Sequence, residues 1–171
     1  SGIHIAGRPC QRMRIAIATD AWSPQVNGVV TTLSRTRDEL CRMGHDVLMI
    51  TPTGRRTIPC PSYPEIRLSL WPRRQVAREL QAFAPDCIHI ATEGPLGMAT
   101  RRYCRTRQLP FTTSYHTRFP EYVRARIPIP LSWTYAWLRH HHRHSSAVLV
   151  PTPAVRQQLL QRGFRNVQVW T

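Results

Sequence analysis

The chain has 171 residues and a hydrophobic fraction of 42%, which suits one α/β domain and excludes an intrinsically disordered chain. Its formal net charge is +15, and all 24 basic residues are arginine, so its surface must favour anions: nucleic acid, lipid headgroups or phosphorylated substrates. Five scattered cysteines without CxxC spacing argue for reduced thiols in a cytoplasm and against a disulfide framework or a zinc site.

Residues 1–12 lack the periodicity of the rest of the chain. They carry neither the apolar run nor the small-residue cleavage site of a secretory signal. They read as an upstream or added segment, with Met13 opening a domain over 13–171. Residues 13–18 (MRIAIA) predict a buried strand. The loop TDAWSPQVNG comes next, then a helix over 28–43 that Gly44 ends. Residues 46–51 (DVLMIT) predict the second strand. Proline and glycine make 52–65 a loop, and 66–70 a short strand. A helix over 74–83 ends near Pro85, and 86–91 (DCIHIA) is a further strand. Pro95 sits in the first turn of a helix over 95–107. Residues 110–115 (PFTTSY) predict a strand, and a polar, proline-containing stretch runs on from His116. A helix over 131–144, a strand over 147–151, a helix over 153–162 and a strand over 166–170 complete the chain. Alternating strands and helices imply a Rossmann-like parallel sheet sandwiched by helices. No stretch approaches the ~18 uninterrupted apolar residues that cross a bilayer.

In such sheets, ligands gather where strands deliver their carboxyl ends. Three loops qualify. After the first strand, Asn27-Gly28 permits close backbone approach, and the helix beyond it offers N–H groups suited to a phosphate. An ordinary strand-to-helix turn reads the same way. After CIHIA, Glu93 is able to accept a sugar hydroxyl or to favour its own helix electrostatically. After PFTTS, His116 is placed to donate to a substrate oxygen or exchange a proton, and Arg118 to pair with a phosphate. The run Arg139-His140-His141-His142-Arg143-His144 sets His140 and His144 at i and i+4. It has no accompanying glutamate and is flanked by arginine, so a native metal site is disfavoured. The segment from Trp71, with Arg73, Arg74 and Arg78 on its polar face, is a candidate for contact with anionic membrane.

Taken together, ATDAWSPQVNGVVTTL, GHDVLMITP, IHIATEGPLG, FTTSYHTRFPEY and LVPTPAVRQQL resemble the N-terminal domain of glycosyltransferase family 4. The likeness is nearest to bacterial GDP-mannose-dependent α-mannosyltransferases and related glycolipid-forming enzymes, and it covers nearly everything from Met13 to Thr171. The resemblance implies the N-terminal half of a GT-B fold in a retaining glycosyltransferase. A nucleotide-sugar donor, GDP-mannose among the candidates, and a lipid or glycan acceptor would be its substrates, with no cofactor or metal. It implies that Asn27 and Gly28 approach the donor diphosphate and that His116 contacts the donor sugar as the catalytic residue. It also implies that Asp20, Glu93, Arg118 and Tyr122 face the acceptor. Asn27-Gly28 stands where other members have two adjacent glycines. The donor-binding C-terminal half would be absent, the chain ending at an interdomain hinge after NVQVWT. The fragment alone would be inactive, and the full protein would work at the cytoplasmic face, with peripheral membrane contact. A different class fits the charge as well: a non-catalytic Rossmann-like module binding nucleic acid or anionic membrane.

Overall fold

The computed structural model describes residues 11–25, 27–60, 63–115 and 130–170. In chain order the elements are β1 (Arg14–Ala18), α1 (Gly28–Arg42), β2 (Asp46–Ile50), β3 (Thr57–Cys60), β4 (Tyr63–Ser69), α2 (Arg73–Phe83) and β5 (Cys87–Ile90). Then come α3 (Pro95–Thr106), β6 (Thr112–Ser114), α4 (Leu131–His142), β7 (Ala147–Val150), α5 (Pro153–Gln161) and β8 (Val167–Val169). Six strands form one sheet in the order β2-β1-β5-β6-β7-β8, every pairing parallel. The Rossmann-like α/β expectation holds.

Strand alternation sorts the side chains onto two faces. Ala16, Ala18, Ile88 and Ile90 pack with Val76 and Leu80 of α2 and with Leu96 and Ala99 of α3. Ile15, Ile17 and Ala91 pack with Val29, Leu33 and Leu40 of α1. Over β7 and β8, Val148, Val150 and Val167 meet Tyr135 and Leu138 of α4 and Leu159 of α5. Each described helix thus contributes a leucine with no exposed surface: Leu33, Leu80, Leu96, Leu138 and Leu159. Full burial of such a side chain is worth about 1.5–3 kcal/mol.

The stretch 52–65 departs from the expected loop. Residues 57–60 and 63–69 form an antiparallel hairpin, a separate two-stranded sheet, so the strand expected at 66–70 starts earlier and has a partner. Pro59 sits inside β3 opposite Arg67, and the register shifts between Pro59 and Cys60. Proline is tolerated in such a strand because its edge has no further neighbour to bond. The prolines that signalled a loop therefore hid a strand.

The helix starts are not alike. α1 is capped by its own Asn27, whose side chain accepts from Val30 N at 3.0 Å, and α5 by Thr152, which accepts from Val155 N at 3.3 Å. The residue preceding α3 is Gly94, which has no side chain to offer.

Candidate functional site

Parallel pairing of β1, β5 and β6 brings the loops after them to one edge of the sheet. The β1 and β5 loops are joined directly. Ala91 N donates to Ala18 O at 2.8 Å, and Asp20 N donates to Thr92 Oγ1 at 2.7 Å. Thr92 Oγ1 in turn donates to Asp20 Oδ2 at 2.9 Å.

Asp20 takes the place of the missing cap on α3. Its Oδ1 accepts from Leu96 N at 2.9 Å, and its Oδ2 accepts from Gly97 N at 3.4 Å. A carboxylate at a helix N-terminus also faces the positive end of the dipole. The residue is 3% exposed. Burial raises its pKa above the usual carboxyl range, aided by the nearby charge of Glu93 and opposed by the hydrogen bonds from Leu96, Thr92 and Gly97. The acceptor-facing role expected for Asp20 therefore meets a carboxylate turned into the fold, with both oxygens engaged by α3 and Thr92. Gly94 and Gly97 make room for this join. A Cβ at Gly94 would lie 2.5 Å from Asp20 Oδ2, and one at Gly97 would overlap the carbonyl oxygen of Thr92.

Glu93 stands in the same loop with its side chain 13% exposed. Its Oε1 is 3.4 Å from His142 Nε2, an ion-pair distance that falls short of a formed hydrogen bond. His142 is fixed from its other nitrogen, with Nδ1 2.8 Å from Thr113 Oγ1 on β6. Burial pushes the Glu93 carboxyl up, but the His142 contact and the charges of His142 and His141 outweigh it. The carboxyl is held below its usual range. His141 is buried against Trp137, ring centroids 5.9 Å apart, and edge-on to His142 at 5.1 Å. Its pKa is lowered to about 4, first by burial and then by the charge of His142, so it is neutral at physiological pH. Its Nε2 makes no hydrogen bond among the described residues.

Asn27 and Gly28 are both exposed at the start of α1. Asn27 Nδ2 donates to Gln25 Oε1 at 3.3 Å. A Cβ at Gly28 would meet nothing within 4 Å, so no internal packing calls for glycine there. His116, Arg118 and Tyr122 lie outside the described residues. Arg73, Arg74 and Arg78 are exposed on α2 as expected.

Sequence reasoning passes over four residues that the structure makes central. Thr92 ties two loops, while Thr113 and His142 hold Glu93 in place. His89, on β5, has Nδ1 2.8 Å from Thr112 Oγ1 and Nε2 2.6 Å from Ser114 Oγ. The signal for His89 is a lone polar residue inside an apolar strand. In the histidine run the i, i+4 spacing singles out His140 and His144, yet these are exposed while His141 and His142 are the buried members. Among the described residues, no group of three or more histidine, cysteine or carboxylate side chains is placed to hold a metal ion.

The family model for Glycosyltransferase Family 4 matches residues 26–171. Among curated proteins, a GDP-mannose-dependent alpha-mannosyltransferase of Mycobacterium tuberculosis is 30% identical over 176 residues, covering 92% of this chain and 47% of the relative. A sulfoquinovosyl transferase of Arabidopsis thaliana is 28% identical over 145 residues, 72% of this chain and 27% of its own length. An alpha-monoglucosyldiacylglycerol synthase of Streptococcus pneumoniae is 31% identical over 127 residues, 65% of this chain and 28% of its own length. The chain spans about half the length of the first of these relatives. With a parallel α/β sheet, candidate loops at one sheet edge and a family match over most of its length, the chain belongs to glycosyltransferase family 4.

Proposed function

We propose that this chain is the acceptor-side half of a retaining glycosyltransferase that moves a hexose, mannose foremost, from a nucleotide-sugar donor to a lipid or glycan acceptor. The family match over 26–171 carries this reading. The names of the relatives give it direction, since they include GDP-mannose-dependent mannosyltransferases and a glucosyldiacylglycerol synthase. A donor-binding C-terminal half outside these 171 residues would complete the cleft, and neither metal nor cofactor is required. The histidine run holds no metal in this reading, and its one part in the scheme is the contact of His142 with Glu93.

As the glycosidic bond to the diphosphate breaks, negative charge grows on the leaving group. Oriented N–H groups at a helix N-terminus stabilise such charge without reorganising. The start of α1 offers them, because the first N–H groups of a helix have no intrahelical partner. Gly28 lets a phosphate come close, and Asn27 orders the turn by capping. His116 follows the end of β6 by two residues in sequence, and we assign it to the donor sugar, with Arg118 and Tyr122 on the acceptor side. Glu93, kept ionised beside His142, is a hydrogen-bond acceptor for an acceptor hydroxyl. Asp20 is a positioning residue in this scheme: it fixes the start of α3 and with it the Glu93 loop. The site would work at the cytoplasmic face. No described helix is long and apolar enough to cross a membrane, and Arg73, Arg74 and Arg78 on α2 would instead attract anionic lipid.

Calorimetry with GDP-mannose and other nucleotide sugars, on this chain and on the whole protein, tests the division of labour. The whole protein should bind a donor that the 171-residue chain does not. Tight donor binding by the chain alone would refute it.

A further inference from the structure

A groove of about 1360 Å³ opens between α2, α3 and α4. Arg73 and Arg74 line it from α2, and Arg101, Arg102 and Arg105 line it from α3. Among the described residues that line it there is no aspartate or glutamate. Elsewhere in the fold, arginines meet carboxylates: Arg12 with Asp46, Arg37 with Asp38, Arg42 with Glu39 and Arg55 with Glu79. Among the described residues, none of the five groove arginines has such a partner. Like charges crowded together without counter-charge repel one another, and a bound anion relieves that repulsion.

The five are not equivalent. Arg101 is committed to the scaffold: its Nε donates to His141 O at 2.8 Å and its Nη2 to His140 O at 2.7 Å, which ties α3 to the end of α4. Burial lowers its pKa, and so does the neighbouring Arg105. Arg102 and Arg105 are exposed and make no side-chain bond to another described residue, so their guanidinium faces remain for a ligand. A guanidinium matches a phosphate with paired N–H donors.

The groove is also bordered by exposed apolar groups. Trp71 is 83% exposed, Met98 46% and Trp137 39%. A soluble phosphate has no use for these, whereas a lipid has a charged head next to an apolar body, the pairing that tryptophan and arginine serve at membrane interfaces. The groove runs along α3 from Pro95 to Thr106, so Arg102 and Arg105 lie toward its far end, about 10–15 Å along the helix from Pro95.

We propose that this groove seats the phosphate of an anionic membrane lipid, with Arg102 and Arg105 as its principal cations and Trp137 against the apolar part of the lipid. This deepens the reading of α2 as a membrane contact and rests on it. The difference is that α3 and α4, not α2 alone, would form a discrete headgroup site.

Flotation with vesicles tests it, using phosphatidylcholine alone and phosphatidylcholine containing phosphatidylglycerol. The 171-residue chain is compared with Arg102→Gln/Arg105→Gln, with Arg74→Gln/Arg78→Gln, and with Arg35→Gln/Arg165→Gln, an off-groove pair of equal charge. Circular dichroism checks that each variant is folded. Wild type should bind only the anionic vesicles. The α3 pair should bind them about thirtyfold more weakly, from the usual contribution of an arginine at a charged surface, and the off-groove pair within about twofold of wild type. Equal loss in the α3 and off-groove pairs would overturn the proposal. Loss confined to the α2 pair would overturn it while leaving the broader membrane reading intact, and no binding to either vesicle would sink both. Displacement from vesicles by millimolar inorganic phosphate would instead mean a soluble-phosphate site. Tighter binding to RNA than to vesicles, lost in the α3 pair, would mean a nucleic-acid surface. Either result refutes the lipid assignment.

Discussion

The join between Asp20 and the start of α3 makes a quantitative prediction for two substitutions and their combination. Gly94 has φ −76° and ψ −169°, an extended conformation that alanine adopts without backbone strain. The cost of Gly94→Ala is therefore steric: the new methyl would sit 2.5 Å from Asp20 Oδ2 and 2.8 Å from Oδ1. Overpacking of this kind costs about 1–3 kcal/mol. Asp20→Ala acts differently. It strips the acceptor from Leu96 N and Gly97 N, both buried, and such unsatisfied donors cost about 1–3 kcal/mol each. Relief of the buried charge offsets part of this, for a net loss of about 2–4 kcal/mol. In the Asp20→Ala background, however, the methyl at position 94 has the space that the carboxylate vacated. The double variant should thus be more stable than the sum of the singles by about 1–2 kcal/mol. Urea unfolding of the 171-residue chain, with midpoints compared at constant m, measures all four corners of the cycle. Additivity within about 0.5 kcal/mol would refute the view that the carboxylate, and not the helix start itself, demands glycine at 94.

Acid should weaken the fold from an unusually high pH. The pKa of His141 is lowered from 6.5 to about 4, so its stabilising neutral state is fully present above pH 6.5 and lost as pH falls toward 4, a change of about 3 kcal/mol. Glu93 is lowered from 4.5, and its contribution is lost only below that value. His141→Leu should flatten urea midpoints between pH 6.5 and 4.5, and an unchanged slope would contradict this assignment. Gly28→Ala should leave stability within about 0.5 kcal/mol, since its Cβ meets nothing. In the whole protein, the same substitution should lower kcat/KM for the donor by about 10–100-fold, measured by steady-state transfer. His142→Ala removes the partner of both Thr113 and Glu93 and should destabilise the chain by about 1–3 kcal/mol in thermal or urea unfolding.

Much of this architecture is legible because it is written in local periodicity. Alternating apolar runs such as Arg14–Ala18 and Cys87–Ile90 signal strands, Asn27 and Pro95 mark helix starts, and the loops at the strand ends come from topology. What stays hidden is what depends on distant partners. Asp20 reads as a polar loop residue until α3, 76 positions further along, takes its carboxylate. The need for glycine at position 94 comes from that same carboxylate, which leaves no room for a Cβ there. The burial of His142 depends on Thr113, 29 residues away, and no spacing rule within the histidine run announces it. The β3–β4 hairpin escapes for a local reason: Pro59 and the prolines around it outweigh a short alternating pattern.

The central claim is that this domain serves a retaining transfer in which the residues at the strand-end edge act on a sugar nucleotide. The direct measurement is transfer from GDP-mannose by the whole protein to a lipid extract, with the anomeric configuration of the product read by NMR, for wild type and His116→Ala. The account predicts an α-linked product from the α-configured donor, with turnover by His116→Ala reduced at least about a hundredfold. A β-linked product, or turnover indifferent to His116, would contradict it.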